Sequence, residues 1–274
     1  MIKFEHTVFA LPFALIGALM ASGGRPTGRQ VGWILLAMVG ARSAAMGFNR
    51  IVDLRFDRLN PRTSNRALPA GALSVGFTTV FVAASSALFV TAAWSLNPLC
   101  FYLSFPVLCI LFLYSFTKRF TPWSHVVLGV AIGFAPLAAW LAIRGEFART
   151  PILLSIAVMF WIAGFDILYA LQDVDFDRKA NLLSIPARFG VRRALTISSL
   201  FHVLTVALLA AAAFTAPSGA IAYVGIAAVA GVLFWEHRIV TPDDLSRIDV
   251  AFFNLNGYVG ILLLLTFATD IWMR

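Results

Sequence analysis

Residues 31 to 71 read VGWILLAMVGARSAAMGFNRIVDLRFDRLNPRTSNRALPAG, and the fold turns on the change of character halfway along. Val31 to Asn49 is an apolar run interrupted only by Arg42, long enough, as a helix rising about 1.5 Å per residue, to cross ~30 Å of hydrocarbon. The segment after it packs Asp53 and Asp57 among Arg50, Arg55, Arg58, Arg62 and Arg66. The same alternation runs through the rest of the chain. Over 274 residues, 60% are apolar and 12% charged, with mean hydropathy +0.87, whereas soluble domains carry about 25% charge. The solvent is therefore a bilayer. Backbone in lipid must satisfy its own hydrogen bonds, so repeated apolar runs of membrane length predict helices. The runs 4–22, 31–49, 72–94, 98–116, 123–143, 151–171, 195–214, 219–236 and 250–270 predict an all-α polytopic bundle of about nine transmembrane helices. Residues 1–274 are read as a single membrane domain.

The loops between these runs divide the basic residues unequally. Lys3, Arg50, Arg55, Arg58, Arg62, Arg66, Lys118, Arg119, Arg178, Lys179, Arg188, Arg192, Arg193, Arg238 and Arg247 fall on the N-terminal side, against Arg25, Arg29, Arg144, Arg149 and Arg274 on the other. Positive charge stays in the cytoplasm, which predicts N-in, C-out in the cytoplasmic (inner) membrane. The net charge of +8 is thereby read as topology plus an anion site, and no nucleic-acid motif accompanies it. Val8 to Ala21 resembles the core of a signal peptide, but Glu5 and His6 suit a basic leader badly and further spans follow, so no cleavage is expected. Cys100 and Cys109 lie on one predicted helix about 13 Å apart and cannot pair. His6, His125, His202 and His237 lack zinc-ligand spacing. Nothing in the sequence requires a protein partner.

Charge concentrates in two segments, 49–66 and 173–193. Asn49, Asp53 and Asp57 stand at i, i+4, i+8; Asp173 and Asp177 repeat the step, with Tyr169 one turn earlier and Asp175 between them. Four-residue spacing stacks side chains on one helical face, so each membrane helix continues into an acidic ladder. Stacked like charges need a cation. One reading offsets them with Arg50, Arg55, Arg58 and Arg178 at the membrane surface. The other is Mg²⁺, which takes hard oxygen ligands and binds through one or two carboxylates together with substrate phosphate oxygens. Two ladders facing each other suit Mg²⁺ bridged by a diphosphate, with Arg62, Arg66, Lys118 and Arg119 on the remaining oxygens. Arg42, about two turns before Asn49 on the same face, then faces a polar cavity or snorkels to the interface. Asp166 is an acid at similar depth in the sixth run. A phosphate head beside hydrocarbon matches an isoprenyl diphosphate.

Three motifs carry a family resemblance. NRIVDLRFD followed by RTSNRALPAG, then YSFTKRFT from Tyr114 to Thr121, then YALQDVDFDRKANLLSIPARFG resemble, in order and over the whole chain, the UbiA superfamily of intramembrane aromatic prenyltransferases. Arg50 departs from the aspartate common in ubiquinone-type enzymes. With FEHTVFALPFA near the start, it resembles the 4-hydroxybenzoate-polyprenyltransferase-like branch, part of which serves menaquinone made through futalosine. The resemblance implies a bundle around a central cavity. It implies transfer of a polyprenyl group from a polyprenyl diphosphate to an aromatic acid in quinone biosynthesis, through an allylic cation; 4-hydroxybenzoate is the favoured acceptor and 1,4-dihydroxy-6-naphthoate the alternative. Asn49, Asp53, Asp57, Asp173 and Asp177 match the Mg²⁺ and diphosphate ligands, and Lys118 and Arg119 the basic pair. Arg42 matches an arginine of the cavity, with the acceptor carboxylate or the diphosphate as its partner. Tyr114 and Tyr169 either shield the cation with their rings or pack; Asp175 either orients the phenol or binds water. The competing classes are a CDP-alcohol phosphotransferase, whose D-G-x-x-A-R opening is absent, and a transporter, whose charges belong nearer the midplane.

Overall fold

The computed structural model describes residues 7–274; Lys3, Glu5, His6 and the first residues of the 4–22 run lie outside them. The membrane-scale helices are α1 (Thr7–Ser22), α2 (Gly28–Val52), α4 (Val75–Leu96), α5 (Pro98–Thr117), α6 (Ser124–Arg144), α7 (Arg149–Ala170), α10 (Val191–Thr215), α11 (Ala220–Ile239) and α12 (Asn256–Trp272). Among the described residues eight spans are long and apolar enough to cross a membrane, and the described part of α1 is a shorter apolar helix. No strand occurs among the described residues.

Local chemistry sets the boundaries. Thr27 and Gln30 form a reciprocal capping box before α2. Ser74 caps α4 by accepting from the Phe77 N–H, and Asn97 caps α5 just ahead of Pro98; each satisfies amides that a helix start leaves without partners. Gly145 ends α6 in the left-handed region at φ 69°, where a Cβ would be strained. The polar segments hold three short helices absent from the sequence reading, α3 (Leu54–Leu59), α8 (Val174–Lys179) and α9 (Ile185–Phe189). A further difference is that α12 is preceded by a π-helical segment, Val250–Leu255. Helix α10 starts at Val191, ahead of the expected 195, which places Arg192 and Arg193 in its exposed first turn.

Each long helix packs on the next. The order α2, α4, α5, α6, α7, α10, α11, α12 is closed by α1, which packs on both α12 and α6. Phe9 and Phe13 of α1 meet Trp161 and Phe165 of α7 in the largest apolar cluster. Beside it runs a buried polar chain: Trp161 Nε1 donates to Asn256 Oδ1 at 2.7 Å, and Asn256 Nδ2 to Glu236 Oε1 at 2.9 Å, while Glu236 Oε2 has no hydrogen-bond partner among the described residues and lies 3.6 Å from His202 Nδ1. Helices α6 and α7 approach backbone to backbone. A Cβ on Gly129 would fall 2.3 Å from the Met159 carbonyl oxygen, and one on Gly133 2.9 Å from that of Ser155. Small residues permit this approach in membranes, where lipid offers no hydrophobic drive between helices. Gly129→Ala is therefore expected to destabilise the folded protein by about 1–3 kcal/mol, seen as a lower thermal unfolding temperature in detergent; an unchanged transition would show that the helices separate freely.

Because the helices alternate in direction, the polar segments 53–74, 118–123, 171–190 and 240–249 gather at one end. Arg62 meets Asp173, the Leu183 N–H donates to the Lys118 carbonyl at 2.7 Å, and Gln172 donates to Asp249 at 3.0 Å. At the other end Trp272 Nε1 donates to the Gly24 carbonyl and the Gly219 N–H to Asp270.

Candidate active site

The two acidic ladders are built alike. Helix α2 stops at Val52 and Asp53 takes φ −91°, ψ 4° before α3; α7 runs through a 3₁₀ turn, Leu171–Asp173, and Asp173 takes φ −105°, ψ 5° before α8. Both lie near the sparsely populated bridge region, where many active-site residues sit. Helical hydrogen bonding nevertheless continues through the bend, with the Asp53 N–H donating to the Asn49 carbonyl at 2.9 Å and the Asp57 N–H to that of Asp53 at 2.8 Å. The one-turn spacing survives, and the carboxylates turn inward together.

They line one cavity of about 220 Å³. Asn49, Asp53, Asp57, Arg62, Arg66, Tyr114, Lys118, Arg119, Tyr169, Asp173 and Asp177 all contribute to its wall, so every candidate residue is brought together except Arg42. Arg42 is half-buried on α2, two turns further in, and does not belong to this wall. Asp175 is exposed and also outside it. A larger recess of about 420 Å³ at the opposite end, with Arg29, Trp33, Asn97 and Arg144 in its wall, carries no carboxylate. The ionic chemistry belongs to the smaller cavity.

Within it, arginines cross from one half to the other. Arg62 Nε donates to Asp173 Oδ1 at 2.9 Å, its Nη2 closes a bidentate pair on Oδ2, and its Nη1 donates to the Tyr169 hydroxyl at 2.9 Å. Arg66 Nη1 reaches both oxygens of Asp57, at 2.8 and 3.1 Å, and Arg50 stands 3.6 Å from the same carboxylate. Arg119 lies 3.7 Å from Asp53 and donates to the Val52 carbonyl, with Phe56 and Phe116 rings beside its guanidinium. Asn49 Nδ2 donates to Asp53 Oδ2 at 2.8 Å, and Ser184 Oγ to Asp177 Oδ2 at 2.8 Å. Tyr169 stacks on Phe252 with centroids 4.1 Å apart, which fixes its ring.

Charge is finely balanced here. Burial first, and the like charge of Asp57 second, push the Asp53 carboxyl above the ordinary carboxylate range, against the pull of Lys118, Asn49 and Arg119. A carboxylate in that position favours a nearby cation. Burial works against the charged Arg62 guanidinium, but hydrogen bonds to Asp173 and its charge outweigh that, and the net shift is upward. Among the described residues no three His, Cys, Asp or Glu side chains cluster as a self-sufficient metal cage.

Several contributors escaped the sequence reading. Asn60 donates from Nδ2 to Asp173 Oδ1 at 3.1 Å while its Oδ1 accepts from the Arg62 N–H at 2.9 Å; the Asn60-Pro61 turn signal located the bend but not the partner. Arg50, assigned only to surface compensation, is a wall residue, as is Ser115; Asp166, which the sequence placed beside Arg42 as an acid facing a polar cavity or a partner, also lies in the wall.

The UbiA prenyltransferase family model matches residues 10–258. A curated relative, 4-hydroxybenzoate octaprenyltransferase of Pseudomonas aeruginosa strain UCBPP-PA14, is 31% identical over 255 residues, covering 93% of this chain and 86% of the relative. The apo structure of a UbiA homologue from Aeropyrum pernix K1 superposes with TM-score 0.89 at 37% identity, covering 98% of this chain and 99% of that one. A UbiA homologue from Archaeoglobus fulgidus, solved with DMAPP and Mg²⁺, shares the fold at TM-score 0.70 and 23% identity, covering 94% and 97%. With the motif residues gathered in one cavity and the family matched along nearly the whole chain, this integral membrane protein belongs to the UbiA prenyltransferase family and is a prenyltransferase.

Proposed function

We propose that the protein transfers a polyprenyl group from a polyprenyl diphosphate to the ring of an aromatic acid, 4-hydroxybenzoate before others, with Mg²⁺ as cofactor, as a step of quinone biosynthesis. The observation that carries this reading is the convergence of both acidic ladders with Arg62, Arg66, Lys118 and Arg119 on one cavity at the end of an apolar bundle. The excess of basic residues in the segments at that end supports N-in, C-out insertion in the inner membrane, with the cavity opening on the cytoplasm.

The donor set suits Mg²⁺. Asn49, Asp53, Asp57, Asp173 and Asp177 offer only oxygen atoms and the Asn49 amide, and the lack of a self-sufficient cage among the described residues fits an ion that shares phosphate oxygens with its protein ligands. Bound there, Mg²⁺ supplies Lewis-acid charge for the departing diphosphate. Arg62 and Arg66 hold Asp173 and Asp57 until the donor arrives, then meet its phosphate oxygens. Lys118 and Arg119 add positive charge where the leaving group develops its own. Tyr169, held by Phe252, and Tyr114 present ring faces to the allylic cation. The surrounding apolar helices keep water from quenching it. Arg42, deeper on α2, is assigned to the acceptor carboxylate, so Arg42→Ala is expected to raise the acceptor KM by about 10-fold or more, the scale of a lost charged hydrogen bond, with the donor KM unchanged. Equal constants for both proteins would remove Arg42 from the site.

The function itself is tested by incubating purified protein with Mg²⁺, a polyprenyl diphosphate, and 4-hydroxybenzoate and 1,4-dihydroxy-6-naphthoate in competition, then weighing the products. Prenylated 4-hydroxybenzoate is the expected product. Arg50, on the cavity wall 3.6 Å from Asp57 at the position where this chain departs from the ubiquinone-type pattern, is the reason to retain the naphthoate as the second acceptor. Solute uptake by proteoliposomes without any prenylated product would replace both readings with a transporter.

A further inference from the structure

One acid in the cavity has no place in the donor site. Asp53, Asp57 and Asp173 pair with arginines and Asp177 with the Ser184 hydroxyl. Asp166, in the wall of the same cavity, is held by a ring nitrogen instead: His125 Nδ1 lies 2.7 Å from its Oδ2. His125 is completely buried, and its Nε2 accepts from the Ile185 N–H at 3.4 Å. An imidazole that accepts at Nε2 carries its proton on Nδ1, so it donates to Asp166. The ring thus anchors Oδ2 of a carboxyl group that lines the cavity and leaves Oδ1 without a bond from His125.

Depth identifies what that oxygen meets. Asp166 precedes Asp173 by two helical turns on the same face of α7, about 10 Å further in at 1.5 Å per residue. A donor whose diphosphate sits among Asp53, Asp57, Asp173 and Asp177 extends its C1 carbon inward from them. An acceptor ring within a near-attack distance of about 3–3.5 Å of that carbon is brought to the level of Asp166, Tyr114 and Ser115.

We propose that Asp166 is the base that completes prenyl transfer, with His125 as the residue that positions it; this rests on the prenyl-transfer reading above. The C1–O bond breaks and its electron pair leaves with the diphosphate. A π pair of the acceptor ring forms the new C–C bond, giving a ring cation with an sp³ carbon. The C–H pair of that carbon returns to the ring as its proton passes to Asp166 Oδ1. The carboxyl group then releases the proton to water at the cavity mouth or to the diphosphate as it departs. The other titratable or charged groups in the cavity wall near this level are Tyr114 from α5, Tyr169 one turn on along α7, and Arg50 and Asp53 from the α2 end; His202 of α10 abuts α7 at Gly164 and is turned to the Trp161 carbonyl.

The test compares wild-type protein, Asp166→Asn and Asp166→Ala using acceptor labelled with deuterium at the reacting ring carbon, with donor binding measured on each. Wild-type turnover is expected to show no appreciable ring-deuterium effect, because ionisation of the donor limits it. Both variants are expected to bind donor normally, to lose about 10²–10⁴ in kcat, and to show a normal primary isotope effect; formate is expected to restore part of the Asp166→Ala rate. His125→Asn, which keeps a donor beside the carboxylate, is expected to retain more activity than His125→Leu. Turnover by Asp166→Asn near the wild-type rate without an isotope effect overturns the proposal. So does loss of donor binding in both Asp166 variants, which would make the pair a brace between α6 and α7. If wild-type protein prenylates no aromatic acid, it is the functional reading that fails.

Discussion

Membranes carrying Asp173→Ala are expected to lose Mg²⁺-dependent prenyl transfer by about 10²–10³-fold or more, the scale of removing one group that stabilises a transition state's charge, while the bundle remains folded. Two features of the site separate these outcomes. Asp173 is the point where the two halves meet, since Arg62 and Asn60 both bond to it across the cavity. The cost to stability is expected to be moderate: the Arg62 side chain is one-third exposed, but Asp173 is buried and its loss leaves the buried Asn60 amide without that acceptor, a penalty of about 1–3 kcal/mol. The released guanidinium can turn to solvent. Asp53→Ala is expected to match it in activity, because Asp53 occupies the equivalent bend of the first half with a similar backbone conformation. Turnover assays across a Mg²⁺ series, paired with thermal unfolding in detergent, check both. Full activity in either variant at limiting Mg²⁺ would remove that carboxylate from the metal site; a collapsed unfolding transition would assign it to the scaffold instead.

The spans could be read from the sequence because hydrocarbon thickness sets a length scale that the apolar runs must meet, and α2, α5 and α6 end within a few residues of the runs that predict them. The ladders could be read because helical hydrogen bonding passes through the bend at Asp53, so one-turn spacing still means a shared face. What escaped was pairing. Arg62 finds Asp173 at a separation of 111 residues, and His125 finds Asp166 across two packed helices; no local pattern marks such partners. The surface offset expected from Arg50, Arg55, Arg58 and Arg178 holds only for Arg50: Arg55 and Arg58 are exposed, and Arg178 donates to the Ala187 carbonyl. The acids are instead held by Arg62, Arg66 and Arg119, side chains that spacing and resemblance had reserved for phosphate. Both roles fit one residue, since a guanidinium fork matches carboxylate and phosphate alike.

That double role leads to the second large effect, in Arg62→Ala. Arg62 is held in a fork on Asp173 and touches the Tyr169 hydroxyl, so a phosphate oxygen would compete with Asp173 for the guanidinium, and a metal ion would compete with Arg62 for the carboxylate. Removing it takes a positive charge from the leaving group, and kcat/KM for the donor is expected to fall by about 10²–10³. It also frees Asp173 from its cation, and without diphosphate the variant is expected to bind a divalent ion more tightly than the parent, read with Mn²⁺ as the spectroscopic probe. A group that only braced the loop would lower activity without raising metal affinity, because a loosened loop holds its ligands less well. Arg62→Lys discriminates further: an ammonium keeps the charge but not the fork, so it is expected to recover metal competition more fully than catalysis. Weaker Mn²⁺ binding in Arg62→Ala would mean that the arginine organises Asp173 for the ion rather than standing in its place.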